Sequence, residues 1–154
     1  MTSAVIILGP PGAGKGTQAM RLADELGLPH VSTGDLFREN LSKNTALGEL
    51  AKTYMEAGKL VPDEVVIDML FGRVAAEDCA AGYMLDGFPR TVAQAEALSE
   101  RLDASWSTRA VQLDVPDAVL SPDDDVEAES ENRWLQRRQP RELFSREWPV
   151  ALDA

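Results

Sequence analysis

The stretch "ILGPPGAGKGTQA", Ile7 to Ala19, constrains this chain more than any other. Gly9, Gly12 and Gly14 precede Lys15, and Gly16 follows it. Ala4 to Leu8 is apolar and partly β-branched, which reads as a buried strand. Past the loop, Ala19, Leu22, Ala23 and Leu26 fall at helical spacing, so a helix opens at Lys15. A strand, a glycine-rich turn and a helix start together make an anion site. Glycine lets backbone N–H groups turn inward, and the helix dipole favours negative charge there.

The spacing Gly9-x4-Gly14-Lys15 matches the P-loop up to its last position. There a Ser or Thr is usual, and this chain has Gly16 with Thr17 after it. A glycine turn that binds nothing is the competing reading, and it leaves the order of strand, loop, lysine and helix unexplained. The loop therefore points to the phosphate end of a nucleotide triphosphate, with Lys15 reaching the outer phosphates. Where a phosphate would go from there, the loop does not say.

A chain of 154 residues suits one compact α/β domain, and 44% apolar residues supply a core. A net charge of −11 argues against general binding to nucleic acid or to an anionic membrane, which needs a basic face. The single cysteine, Cys79, excludes an intrachain disulfide and a cysteine-based zinc site; beside Ala80 and Ala81 it reads as a small packed thiol. No apolar run approaches the roughly 20 residues that span a membrane. The N-terminus enters a strand without a basic leader, so a reducing cytoplasm is the expected setting.

Further along, "GLPHVSTGD" reads as a turn, a short strand near His30 to Ser32 and a new helix start. "LFRENL" and "ALGELAKTYMEAG" read as two short helices. Pro62 is expected at the first position of another, with Asp63 and Glu64 in its first turn and an apolar face of Val66, Met69, Leu70 and Val74. "GYMLDGFPR" is a strand ending in a turn, "TVAQAEALSERL" a helix and "RAVQLDVPD" a strand. This alternation implies a mostly parallel sheet covered on both faces, with ligands at the carboxyl ends of its strands. Gly9, Thr33, Asp86 and Asp114 stand at those ends.

Four segments could face a phosphate donor with a second substrate: "STGDLFR" from Ser32, "MEAGKLV" from Met55, "DGFPR" from Asp86, and Gln94. With "GPPGAGKGTQ" they resemble the adenylate kinase family, in order from about residue 4 to Val119, roughly three quarters of the chain. The resemblance implies a P-loop kinase core with helices on both faces of a parallel sheet. The expected strands lie near 4–8, 30–32, 83–85 and 109–114, in the order 2-3-1-4, with a possible fifth strand near 149–153 beside the fourth. Residues 1–120 would form the core, including an AMP-binding insertion at about 32–61; residues 121–154 would be a divergent tail.

The reaction implied is reversible transfer of a phosphoryl group from ATP to AMP, with magnesium accompanying ATP, by a monomer. By resemblance, Gly12, Ala13, Gly14, Lys15, Gly16 and Thr17 bind ATP phosphates. Thr33, Arg38, Met55, Leu60, Val61, Gly87, Arg90 and Gln94 match AMP-site positions. Arg38 and Arg90 would hold the AMP phosphate, since the planar guanidinium fork suits phosphate oxygens. Gln94 would read the adenine edge. Asp35 and Asp86 would organise magnesium through water. Lys15, Arg38, Arg90 and Arg133 form the implied catalytic set. Each also has a plainer reading. Thr33 and Thr91 suit helix caps, and Thr91 with Gln94 fits capping-box spacing. Arg38 suits a solvated helix face. His30 reads as structural, because nothing in this chemistry asks for an imidazole.

The chain departs from the family after "LDVPDAVL", where hinge and lid segments bearing arginines would follow. Here stand Ser121, Pro122 and "DDDVE", and no arginine appears before Arg133. "DDDVEAESENR" weakly resembles the segment after the lid, with Asp124 and Asp125 as its paired aspartates, Arg133 as its arginine and Pro122 in place of an earlier one. An unrelated acidic tail is the competing reading. A helix is expected at about 127–139, ended by Pro140. Two other functions stay open: a nucleotide-binding remnant with little turnover, and a pyrimidine monophosphate kinase. The second typically carries alanine where this chain has Thr33.

Overall fold

A computed structural model describes residues 2–9 and 13–113 of the chain. Strands and helices alternate: β1 (Thr2–Leu8), α1 (Lys15–Leu26), β2 (His30–Ser32), α2 (Thr33–Ser42), α3 (Ala46–Glu56), α4 (Asp63–Val74), β3 (Gly82–Asp86), α5 (Val92–Arg101) and β4 (Trp106–Gln112). A single 3-10 turn, Glu77–Cys79, leads into β3. All three strand pairings are parallel, in the order β2-β3-β1-β4, as the alternation and the resemblance imply.

Period-two alternation along β1 divides the interior. Ala4, Ile6 and Leu8 join Leu36, Phe37, Val66, Met69, Leu70, Leu85 and Leu98 in the larger core cluster. Val5 and Ile7 face the other way, onto Ala19 and Ala23 of α1, together with Met84. Successive strand side chains point to opposite faces, so a strand apolar throughout is the pattern of a sheet buried on both sides.

The register brings the strand ends level. Ile7 pairs with Asp86, and Asp86 with Ser32. The chain thus leaves β1, β3 and β2 at one edge, into the glycine loop, the Gly87 turn and α2 respectively. That edge holds every described candidate at a strand end.

Three local expectations are corrected. Pro62 is the residue before α4, not its first, and its carbonyl accepts the Val65 N–H at 3.1 Å. Thr33 does not cap α2; Ser32 does, accepting the Asp35 N–H, and Thr33 is the first helical residue. β4 starts at Trp106 rather than near 109, because pairing with β1 begins at Thr2. There the Trp106 ring packs against Tyr83, with centroids 5.3 Å apart. Cys79 is buried, in keeping with a packed thiol, and burial pushes its pKa up. Among the described residues no helix is long and apolar enough to cross a membrane. Asp114, the expected helix at 127–139, the possible strand at 149–153 and the division at residue 120 lie outside the described residues.

Candidate functional site

The site grows from the ends of β1 and β3. Gly14 takes a left-handed conformation (φ 76°) as the residue before α1, which only glycine adopts without cost. Lys15 is thereby the first residue of the helix, and its Nζ donates to the Gly9 carbonyl at 2.7 Å across the loop. Burial lowers the Lys15 pKa, and the charge of Arg90 lowers it further; Asp86 opposes both. Burial also lowers the Arg90 pKa, again against Asp86. Two cations and one carboxylate, drawn from the start of α1 and the end of β3, thus share one partly desolvated site. A group carrying negative charge relieves the repulsion between the cations.

Asp86 ends β3. Its Oδ2 lies 3.3 Å from His30 Nε2. The same oxygen would stand 3.7 Å from a Cβ on Gly16, so the carboxylate faces the start of α1. His30 therefore contacts a candidate residue, which its reading as purely structural did not include.

The other half of the site is built on Gly87. Its carbonyl accepts from the Thr33 hydroxyl at 3.1 Å and from Arg90 Nε at 2.6 Å. Gly87 is left-handed (φ 79°), and a Cβ there would sit 2.7 Å from both Arg90 Nη2 and Thr33 Oγ1. The turn thus needs glycine twice over, for backbone conformation and for space.

Gln94 is buried at 4% exposure. It keeps half of the capping box: its N–H donates to Thr91 Oγ1 at 3.2 Å. The return bond lands one residue early, with Oε1 accepting the Arg90 N–H at 2.8 Å. Nε2 donates to Asp63 Oδ1 at 2.7 Å, and the Thr91 hydroxyl to Asp63 Oδ2 at 2.8 Å. Sequence reasoning assigned Asp63 only to the first turn of α4. Nothing local announces a partner 31 residues away.

The remaining candidates are placed less centrally. Arg38 pairs with Asp35 one turn below it in α2, and both side chains are more than half exposed. Met55 packs at the border of the larger core, Val61 is buried within it, and Leu60 is 54% exposed. Ala13, Gly16 and Thr17 lie on the loop and first turn of α1, with Gly16 and Thr17 exposed. Gly12 and Arg133 fall outside the described residues. No cluster of three metal-ligating His, Cys, Asp or Glu side chains occurs among the described residues.

Comparison with known proteins agrees with this geometry. The family model for adenylate kinase matches residues 7–136. The adenylate kinase of Streptomyces coelicolor is 51% identical over 140 residues, covering 91% of this chain and 63% of that protein. That of Clostridium botulinum (strain Eklund 17B) is 58% identical over 118 residues, 75% of this chain and 55% of its own length. That of Lachnospira eligens is 55% identical over 115 residues, 73% of this chain and 54% of its own length. This chain thus spans between half and two thirds of the relatives it matches. A glycine loop closed by lysine, an aspartate and an arginine at the end of β3, and a family match across most of the sequence converge: the chain belongs to the adenylate kinase family.

Proposed function

We propose that the chain transfers the terminal phosphoryl group of ATP to AMP, reversibly, giving two ADP. The observation that carries this reading is the grouping of Lys15, Asp86 and Arg90 at one sheet edge, with Thr33 and Arg90 meeting on the Gly87 carbonyl. Phosphoryl transfer asks the protein for in-line positioning and for positive charge on the moving group. In this reading the loop from Gly12 to Thr17 holds the ATP phosphates by its backbone N–H groups. Lys15 follows charge from donor to acceptor. Arg38 and Arg90 grip the AMP phosphate, with Arg133 joining them. Thr33, Met55, Leu60, Val61, Gly87 and Gln94 form the AMP subsite.

Asp86 suits magnesium carried in with ATP, since such an ion needs one or two carboxylates besides phosphate oxygens and water. Asp35 would join it on leaving Arg38. Bound there, magnesium would neutralise phosphate charge. The substrates are ATP and AMP, and a monomer in the cytoplasm is the setting proposed.

Two measurements test the reading. Incubated with ATP, AMP and magnesium, the chain yields ADP in a coupled assay. Free phosphate assayed separately reports hydrolysis, and a detectable leak is expected, because residues 121–132 hold no arginine to cover ATP. No ADP together with no AMP binding by calorimetry would make the chain a nucleotide-binding remnant. Preference for UMP or CMP would make it a pyrimidine nucleotide kinase.

Gly87→Ala forces a left-handed alanine, costing roughly 1–2 kcal/mol. It also pushes Arg90 Nη2 and Thr33 Oγ1 off their shared carbonyl. The strain lowers the melting temperature, and the displacement of Arg90 raises the KM for AMP about ten-fold, the worth of one hydrogen bond to a charged group, with the KM for ATP little changed. Steady-state kinetics in each substrate checks both halves.

A further inference from the structure

Asp63 opens α4 and reaches across to α5, where it holds the Gln94 amide from one side while the Arg90 backbone holds it from the other. The chemistry of these partners fixes which way the amide faces. A carboxylate only accepts hydrogen bonds and a backbone N–H only donates. Turning the amide over would set its NH2 group against the Arg90 N–H and its oxygen against the Asp63 carboxylate, losing both bonds. The Thr91 hydroxyl, donating to the second carboxylate oxygen at 2.8 Å, keeps Asp63 itself from rotating away. An amide nitrogen carries a second hydrogen, and an amide oxygen a second lone pair. The buried Gln94 therefore presents one donor and one acceptor in a fixed order.

We infer that Asp63 is a positioning residue for base selection: it locks the Gln94 amide so that the acceptor site takes a 6-amino purine and rejects a 6-oxo purine. This rests on the reading of Gln94 as the residue that meets the base. A 6-amino purine offers an N–H donor beside a ring-nitrogen acceptor. A 6-oxo purine offers the reverse, a carbonyl acceptor beside a ring N–H. An amide free to turn over satisfies either base, and a locked amide satisfies one. The plainer role of Asp63, an acid complementing the dipole in the first turn of α4, affects stability and leaves base choice untouched.

The test is calorimetry of AMP and of IMP, the 6-oxo analogue, on the full chain and on two variants. The unaltered chain favours AMP. Asp63→Ala leaves the Arg90 N–H alone to orient the amide, so turning over costs one bond instead of two, and the preference for AMP over IMP falls on the order of ten-fold. Asp63→Asn keeps it, because its oxygen still accepts from Gln94 while its NH2 faces the Thr91 oxygen. Asp63→Ser, too short to reach Gln94, supplies the same readout as alanine should that variant not fold. An unchanged preference in Asp63→Ala or Asp63→Ser, with only a lower melting temperature, would overturn the inference and leave the role of Gln94 standing. No preference in the unaltered chain would overturn both.

Discussion

Lys15→Met should remove phosphoryl transfer, by at least about 10²-fold in kcat, while the protein melts at the same or a higher temperature. The first half follows from the electrostatic demand of the reaction. A positioned cation on the transferring group is worth about 10²–10³-fold in rate, and Lys15 is the cation nearest the loop. The second half follows from the direction of its pKa. Burial and Arg90 lower it from the ordinary lysine value. Folding at neutral pH therefore places a charge where charge is disfavoured, and this cost remains until the pH rises through the lowered native pKa towards the unfolded one. Methionine matches the chain length and removes the charge, so it relieves the net cost that burial and Arg90 impose, while giving up the bond to the Gly9 carbonyl and the attraction of Asp86. Kinetics beside thermal denaturation separates the two effects. A variant that unfolds would make Lys15 a structural residue, and one with full activity would remove it from the mechanism.

Arg90→Ala should weaken AMP binding about 10- to 100-fold, the worth of one or two hydrogen bonds to a charged group. ATP binding should change far less. The guanidinium is held by the Gly87 carbonyl at 2.6 Å, next to the Thr33 hydroxyl. Its backbone N–H, which holds Gln94, survives the substitution. The phosphate grip is thus lost while the base-facing amide stays in place. Arg90→Lys should recover little, because a lysine cannot bond the Gly87 carbonyl and present a planar fork to phosphate at once. Calorimetry with each nucleotide distinguishes the two sites. Equal losses for ATP and AMP would assign Arg90 to neither.

The sheet was legible because β1 and β3 are short apolar runs followed by turn chemistry and then a helix, and its strand order because the family resemblance implied it on top of that alternation. The candidate site was legible where residues stand next to a strand end: Lys15 after β1, Thr33 after β2, Asp86 and Arg90 after β3. What the sequence hid was choice between neighbours and contact over distance. Ser32 and Thr33 are equally good caps on paper; the structure gives the cap to Ser32, because Thr33 turns its hydroxyl to Gly87, 54 residues away. The Thr91–Gln94 spacing announced a cap, and half of it forms. The other half is diverted by the Arg90 N–H and by Asp63, neither of which any local pattern links to Gln94. His30 was set aside for want of a chemical task, and its contact with Asp86 spans 56 residues. β4 began early because pairing with β1, not its own polar sequence, sets its length.

The alignment of Ile7, Asp86 and Ser32 across three strands has a consequence for how this chain tolerates change in length. Backbone ladder bonds, rather than any side chain, set the height at which donor-side and acceptor-side groups emerge. One residue deleted inside β3 would draw Asp86 and Arg90 about 3.3 Å down relative to Lys15 and turn alternate side chains to the wrong face. The same deletion in the exposed turn between α5 and β4, at residues 103–105, would be absorbed by the loop. Strand length is therefore the quantity on which the spacing between the two phosphate-holding halves depends, and exposed turns away from the site are where sequence length is free to drift.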